Sequence, residues 1–104
     1  MAFKIIWSHQ AREDLRDIVT FIAADNPTAA QSFGFLLISK VDQLAGFPQL
    51  GRVVPEEKDD NIREIIVRPY RIVYQVLTRQ DTIAIARVWH GARGNPEIPK
   101  RLEF

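Results

Sequence analysis

The chain has 104 residues, 46% of them hydrophobic, and a formal net charge of +1. That length supports one core split between two layers, so residues 1–104 are expected to form a single domain. There is no cysteine, and the two histidines, His9 and His90, lie far apart, which excludes a disulfide framework, thiolate chemistry and the His-based metal motifs; no metal or cofactor is expected.

The N-terminal run MAFKIIWSHQ is too short for a signal segment and nothing approaches a membrane span. A cysteine-free chain suits a reducing cytoplasm, the expected location. Charge is uneven: residues 1–60 carry −3 and residues 61–104 carry +4. A basic half can attract nucleic acid through counterion release or an acidic protein surface through complementarity, and +4 does not decide between them.

Phe3 to Trp7 is a β-branched and aromatic run that reads as a first strand. Ser8 then stands where a helix N-cap belongs, and Ala11, Leu15, Ile18 and Ile22 form an apolar stripe opposite Arg12, Glu13, Arg16 and Asp17. Acidic Glu13 and Asp14 suit the positive end of that helix. It should end near Asp25, because Asn26 can cap a second helix whose first residue is Pro27. Ala30, Phe33, Leu37, Val41 and Leu44 trace the second stripe, and so short a connection implies an antiparallel helical hairpin. Gly34 inside this helix costs about 1 kcal/mol relative to alanine, which points to close packing there, by the first helix or by a partner.

The segment GFPQLGRVVPEEKDDN reads as loop, with a brief edge strand at Arg52 to Val54 that Pro55 ends. Strands follow at Ile62 to Val67, Arg71 to Leu77 and Thr82 to Trp89, joined by turns at RPYR and TRQD. The expectation is an α+β, two-layer fold: an N-terminal strand, an antiparallel helical hairpin, then an antiparallel β-meander.

Alternation places Ile72, Tyr74 and Val76 on one side of the fourth strand, with Tyr74 in the core, and Arg71, Val73, Gln75 and Leu77 on the other. In the fifth strand it groups Ile83, Ile85, Arg87 and Trp89 against Ala84, Ala86, Val88 and His90. Which face the helices cover stays open, and Arg71 and His90 share a face only if the register allows it. The strands also carry Arg63, Arg68 and Arg93, so the double hairpin is rich in cations that ask for something anionic, although arginines on a solvated sheet face are ordinary.

The order of these elements, with Pro48, Leu50, Gly51 and Arg52 in a PxLGR pattern, then REIIVRPYRIVYQV and IARVWHGAR, resembles the RelE/ParE superfamily of bacterial toxins over nearly the whole chain. The resemblance implies the toxic half of a type II toxin–antitoxin pair, neutralised by a cognate antitoxin that contacts operator DNA on the pair's behalf. Two mechanisms divide the superfamily. RelE-like members are metal-independent, ribosome-dependent mRNA endonucleases in which the ribose 2′-OH attacks the adjacent phosphate, so the site needs an acid, a base and cations. On that reading Arg71 matches a phosphate-stabilising arginine, His90 falls near a position used as acid or base, and Arg93 is a second phosphate contact. The chain departs from the nucleases where Gly91 and Ala92 follow His90 in place of a frequent tyrosine, where a Lys-rich stretch is absent, and where Glu56 to Asp60 is acidic.

ParE-like members and the related plasmid-stabilisation proteins bind and inhibit DNA gyrase. The HGAR ending, the helical hairpin and the acidic loop resemble these more closely. On this reading Arg68, Tyr70 and Arg71 hold a turn or contact a partner, and His90 bonds locally. Ile98, Arg101 and Leu102 in the tail are candidate contacts to target or antitoxin, unless the tail is simply a loose terminus. His9 reads as structural or exposed. A third alternative is a degenerate member that binds antitoxin without toxicity.

Overall fold

The computed structural model describes residues 2–104. Strand β1 (Lys4–Trp7) leads into helices α1 (His9–Ala23) and α2 (Pro27–Asp42), and a 3₁₀ turn at Gln43–Ala45 follows. Strands β2 (Arg52–Val53), β3 (Ile62–Val67), β4 (Tyr70–Leu77) and β5 (Thr82–His90) complete a five-stranded sheet of order β1-β5-β4-β3-β2. β2 to β5 form the antiparallel meander, while β1 closes the far edge by running parallel to β5.

Both helices start where their caps dictate. The Ser8 hydroxyl accepts the Ala11 N–H at 3.0 Å and the Asn26 side chain accepts the Ala29 N–H at 3.0 Å, with Pro27 opening α2. The close packing at Gly34 is with α1, since a methyl group there would sit 3.4 Å from the Val19 side chain.

Ser8 and Asp14 also complete the backbone of β5 beyond the end of β1. The Ser8 N–H donates to the Ile85 carbonyl at 2.9 Å and its hydroxyl to the Ala86 carbonyl at 3.1 Å. The Asp14 carboxylate accepts the Val88 N–H at 2.9 Å and pairs with Arg87 at 2.8 Å. Asp14 therefore serves β5 rather than the α1 dipole, and satisfies groups that burial would otherwise leave unbonded.

Alternation along β4 is as the sequence predicts, but β5 departs from it. Val73 pairs with Arg87 and Tyr74 with Ile85, so Ala86 is an extra, bulged residue. Period two is broken there: Ile83, Ile85 and Val88 all enter the core under the helices, with Ile72, Tyr74, Val76, Leu37 and Val41. Trp89 and Arg87 pair with Arg71 and Val73, whose side is opposite to that of Ile72 and Tyr74. This second face has its own small core of Val54, Val73 and Ala86, covered by Ile62, Ile98 and Leu102.

Tyr74 links the helix-side core to the loop before β2. Its hydroxyl accepts the Gly51 N–H at 2.9 Å and donates to the Pro48 carbonyl at 2.8 Å. Gly51 sits so close that a Cβ would lie 2.4 Å from the Glu64 carbonyl oxygen. That neighbour is strand backbone and cannot yield cheaply. Gly51→Ala is expected to destabilise the protein by about 3 kcal/mol through overpacking, read as a lowered urea midpoint at unchanged slope.

Burial raises the Tyr74 pKa, with the Gly51 hydrogen bond and the nearby Arg63 charge opposing it in part. A raised folded pKa means that the folded state holds its proton more tightly. This contribution to stability is complete below the ordinary tyrosine value of about 10 and is lost as pH rises through the folded value. Alkaline unfolding should therefore be shallower in Tyr74→Phe, a variant that itself loses roughly 1–3 kcal/mol at neutral pH because the Gly51 N–H is left buried without an acceptor. Equal pH slopes for the two proteins would contradict this.

Candidate functional site

The arginines singled out from the sequence cluster at the β3–β4 turn and the end of β5, and most of them meet partners within the protein. Glu64 in β3 has a fully buried carboxylate. It binds Arg52 of β2 at 2.7 Å and Arg71 of β4 through the guanidinium Nε. Arg71 reaches on to Glu56 in the acidic loop at 2.7 Å, so that loop lies against the site. Burial alone would lower the Arg71 pKa, but its hydrogen bonds and charge contacts with Glu64 and Glu56 outweigh that and raise it. Arg71 is thus a fixed cation enclosed by two carboxylates.

His90 lies on the other face. It pairs with Tyr70, whose side chain points with Ile72 toward the helices, whereas Arg71 pairs with Trp89. The register therefore separates Arg71 from His90 across the sheet, although both line one cleft of about 560 Å³ that wraps around the strand ends with Arg52, Ile66, Arg68 and Tyr70. His90 Nδ1 accepts the Ala92 N–H at 3.0 Å and caps the turn Gly91–Arg93, which leaves Nε2 to carry the proton of the neutral ring. The ring meets Tyr70 edge-on, 5.2 Å between centroids, and Tyr70 in turn contacts Phe33 of α2 at 5.6 Å. Burial raises the Tyr70 pKa, so its hydroxyl holds its proton more firmly than a free tyrosine.

Arg93 stacks on Trp89 at 3.9 Å, with Arg87 over the same ring at 4.7 Å, and the indole N–H donates to the Gly94 carbonyl at 3.1 Å. Gly94 has φ of +82°, which a side chain would strain. Arg63 donates to the Gly51 carbonyl at 2.9 Å. Among the described residues, Arg68 makes no hydrogen bond or ion pair and is exposed.

The tail is anchored. Ile98 and Leu102 pack on the second sheet face, Arg87 donates to the Glu97 carbonyl at 2.8 Å, and the His9 N–H donates to the Glu103 carbonyl at 2.6 Å. The apolar surface of Ile98 and Leu102 is thus used by the protein's own second core, whereas Arg101 is exposed. The sequence reading did not single out Glu64, and it gave Asp14 only to the helix dipole. An acid alone within an apolar strand, or on the inner stripe of a helix, with arginines on neighbouring strands, is the pattern that marks both. No group of three His, Cys, Asp or Glu among the described residues is placed to hold a metal ion, and no helix is long and apolar enough to cross a membrane.

The fold is that of the RelE/ParE toxins. It matches the chromosomal ParDE toxin–antitoxin system of P. aeruginosa with a TM-score of 0.69 at 18% identity, over 86% of this chain and 96% of that one. It matches a mutant of E. coli toxin RelE in the free state with a TM-score of 0.63 at 18% identity, over 90% and 88% of the two chains. In sequence, the chain is 33% identical over 91 residues to Toxin RelE2 of Caulobacter vibrioides, covering 86% of this chain and 97% of that protein. Residues 5–94 match the family described as the ParE toxin of the type II toxin-antitoxin system parDE, and the chain belongs to that family. The tail from residue 95 onward lies beyond the matched segment.

Glu64→Gln should cost about 3 kcal/mol, because it leaves Arg52 and Arg71 without their buried counter-charge. Glu56→Gln, at the half-exposed end of the network, should cost about 1 kcal/mol or less. Urea denaturation of the two variants checks this, and equal losses would show that Glu64 is not the centre of the network.

Proposed function

We propose that this toxin is held inactive by a cognate antitoxin in the cytoplasm, and that when released it binds and inhibits DNA gyrase rather than cutting mRNA. Operator DNA is contacted only through the antitoxin. The observation that carries this reading is the enclosure of Arg71 by Glu64 and Glu56. A 2′-OH attack needs free cationic donors at the developing phosphorane and an acid and a base within reach of one phosphate. Here a phosphate approaching Arg71 meets two carboxylates first. Freeing the guanidinium costs on the order of 3 kcal/mol, less whatever Arg52 retains on Glu64. His90 faces away from Arg71 and is engaged as a cap, and Arg93 is engaged on Trp89. On this reading Arg68 and Tyr70 belong to the contact surface, and Arg101 is the tail residue free to join it.

The alternative, ribosome-dependent mRNA cleavage, draws support from one feature: Arg52, Arg68, Arg71 and His90 all line the same cleft. The two readings separate in a paired assay of the purified toxin. Gyrase supercoiling is expected to fail while ribosome-bound mRNA, mapped by primer extension, stays intact. Cleavage that disappears in Arg71→Ala and His90→Ala, with supercoiling untouched, would replace the gyrase reading by the nuclease one. Expression that never arrests growth would leave only the degenerate, antitoxin-binding alternative.

A further inference from the structure

Strand β1 has a partner on one side only. The Lys4 N–H donates to the Asp81 carbonyl and the Ser8 N–H to the Ile85 carbonyl, so Lys4, Ile6 and Ser8 turn their backbone groups to β5, while Ile5 and Trp7 turn theirs outward. The Trp7 carbonyl accepts Arg12 Nη1 at 3.2 Å. Among the described residues, the Ile5 N–H and C=O and the Trp7 N–H meet no strand. The side chains divide by alternation: Ile5 and Trp7 enter the helix-side core, which places Lys4 and Ile6 on the opposite face. Beside the strand runs an open groove of about 480 Å³ lined by Ile5, Trp7, Arg12, Leu15 and Ile38, with Ile38 41% exposed.

Charge along this edge falls into two opposed pairs. On the helix side Arg12 stands at the Trp7 end, and Asp42, one helical turn beyond Ile38, stands at the end where the Phe3 N–H meets the Ala45 carbonyl. On the other face the order is reversed. Lys4 begins the strand, and the tail brings Glu103 to its far end, where the Glu103 carbonyl accepts the His9 N–H. None of these four forms a side-chain ion pair among the described residues. An identical edge turned end for end presents the opposite sign at every one of these positions.

We infer that β1 pairs antiparallel with β1 of a second copy of this chain, about a two-fold axis at Ile6, joining the two five-stranded sheets into one. Ile5 exchanges both backbone hydrogen bonds with Trp7 of the second copy, and Trp7 does the same with its Ile5, so every outward group on the edge is used. Ile6 faces its own counterpart in the closely spaced, non-hydrogen-bonded position. The axis stands perpendicular to the sheet and keeps both helical hairpins on one side. Arg12 then lies beside Asp42 of the second copy, Lys4 beside its Glu103, and Ile38 from each copy covers the junction. None of the residues lining the cleft of Arg68 and His90 takes part. So few hydrogen bonds and so narrow an apolar strip make a weak interface, with a dissociation constant on the order of tens of micromolar.

Sedimentation velocity of the full chain from roughly 1 to 200 μM is expected to show a reversible monomer–dimer equilibrium. Arg12→Glu and Asp42→Lys should each weaken the dimer roughly tenfold, and the double variant should restore it, because the exchanged charges again face each other between copies. The chain has no cysteine, so single cysteines report the register. Mild oxidation should link Ile6→Cys into a dimer, since its paired Cα atoms lie about 4.5 Å apart, and should leave Lys4→Cys, opposite Ser8 of the second copy, monomeric. A chain that stays monomeric over the whole range, a dimer indifferent to both charge reversals, or equal cross-linking at the two cysteine positions would overturn the inference. Urea midpoints verify that each variant is folded; should Arg12→Glu disturb the fold, Asp42→Lys and the two cysteine variants decide the same point.

Discussion

The buried carboxylate of Glu64 is the constraint on which the rest of the basic half depends. An ionised side chain with no exposed surface must be matched by cations, and it recruits them from both neighbouring strands: Arg52 holds the two-residue β2 against β3, and Arg71 ties β4 to the acidic loop through Glu56. A strand as short as β2 has little ladder of its own to hold it. The ion network and the hydrogen bonds around Gly51 together set its position. The same contacts engage the guanidinium groups of Arg52 and Arg71 at this end of the sheet.

Asp14 plays the matching part at the opposite edge. Its carboxylate replaces the strand partner that β5 loses when β1 ends, and it anchors Arg87, which also holds the tail through the Glu97 carbonyl. Each side of the sheet thus holds a buried acid paired with arginine, Glu64 with Arg52 and Arg71, and Asp14 with Arg87. The cation-rich composition of the double hairpin, which in the sequence suggests an external anion, is largely accounted for by these two acids, by the Gly51 carbonyl and by the Trp89 ring. Among the described residues of the hairpins, Arg68 and Arg79 are the exceptions, and Arg68 lies past the part of β3 that β2 pairs with.

Much of this architecture is legible in the sequence because local rules set it. Ser8, Asn26 and Pro27 mark the helix starts, the apolar stripes identify the buried faces, and the limits of β3 follow from composition alone. The pairing of β1 with β5 is not legible, since nothing local distinguishes one edge of the sheet from the other. The separation of Arg71 from His90 was also hidden. It depends on cross-strand register, which is fixed by the two-residue turn and by core packing and not by any single residue. Family membership was readable from the order of PxLGR, YRIVY and WHGAR. The partners of Arg71 were not, because Glu56 and Glu64 are brought together only by the fold.

The bulge at Ala86 carries a broader consequence. One additional residue lets a single strand serve two cores of opposite orientation: the first half of β5 presents Ile83 and Ile85 to the helices, and the second half presents Val88 to the helices while turning Arg87 and Trp89 to the other side. The carbonyl that the bulge removes from the ladder is taken up by the hydroxyl of Ser8, the same group that starts α1. The phase of the sheet and the origin of the first helix are therefore mechanically joined. A relative of this toxin that lacks the extra residue would need a different arrangement at both places, and a residue-by-residue alignment drawn through this strand without a gap would assign its side chains to the wrong sides.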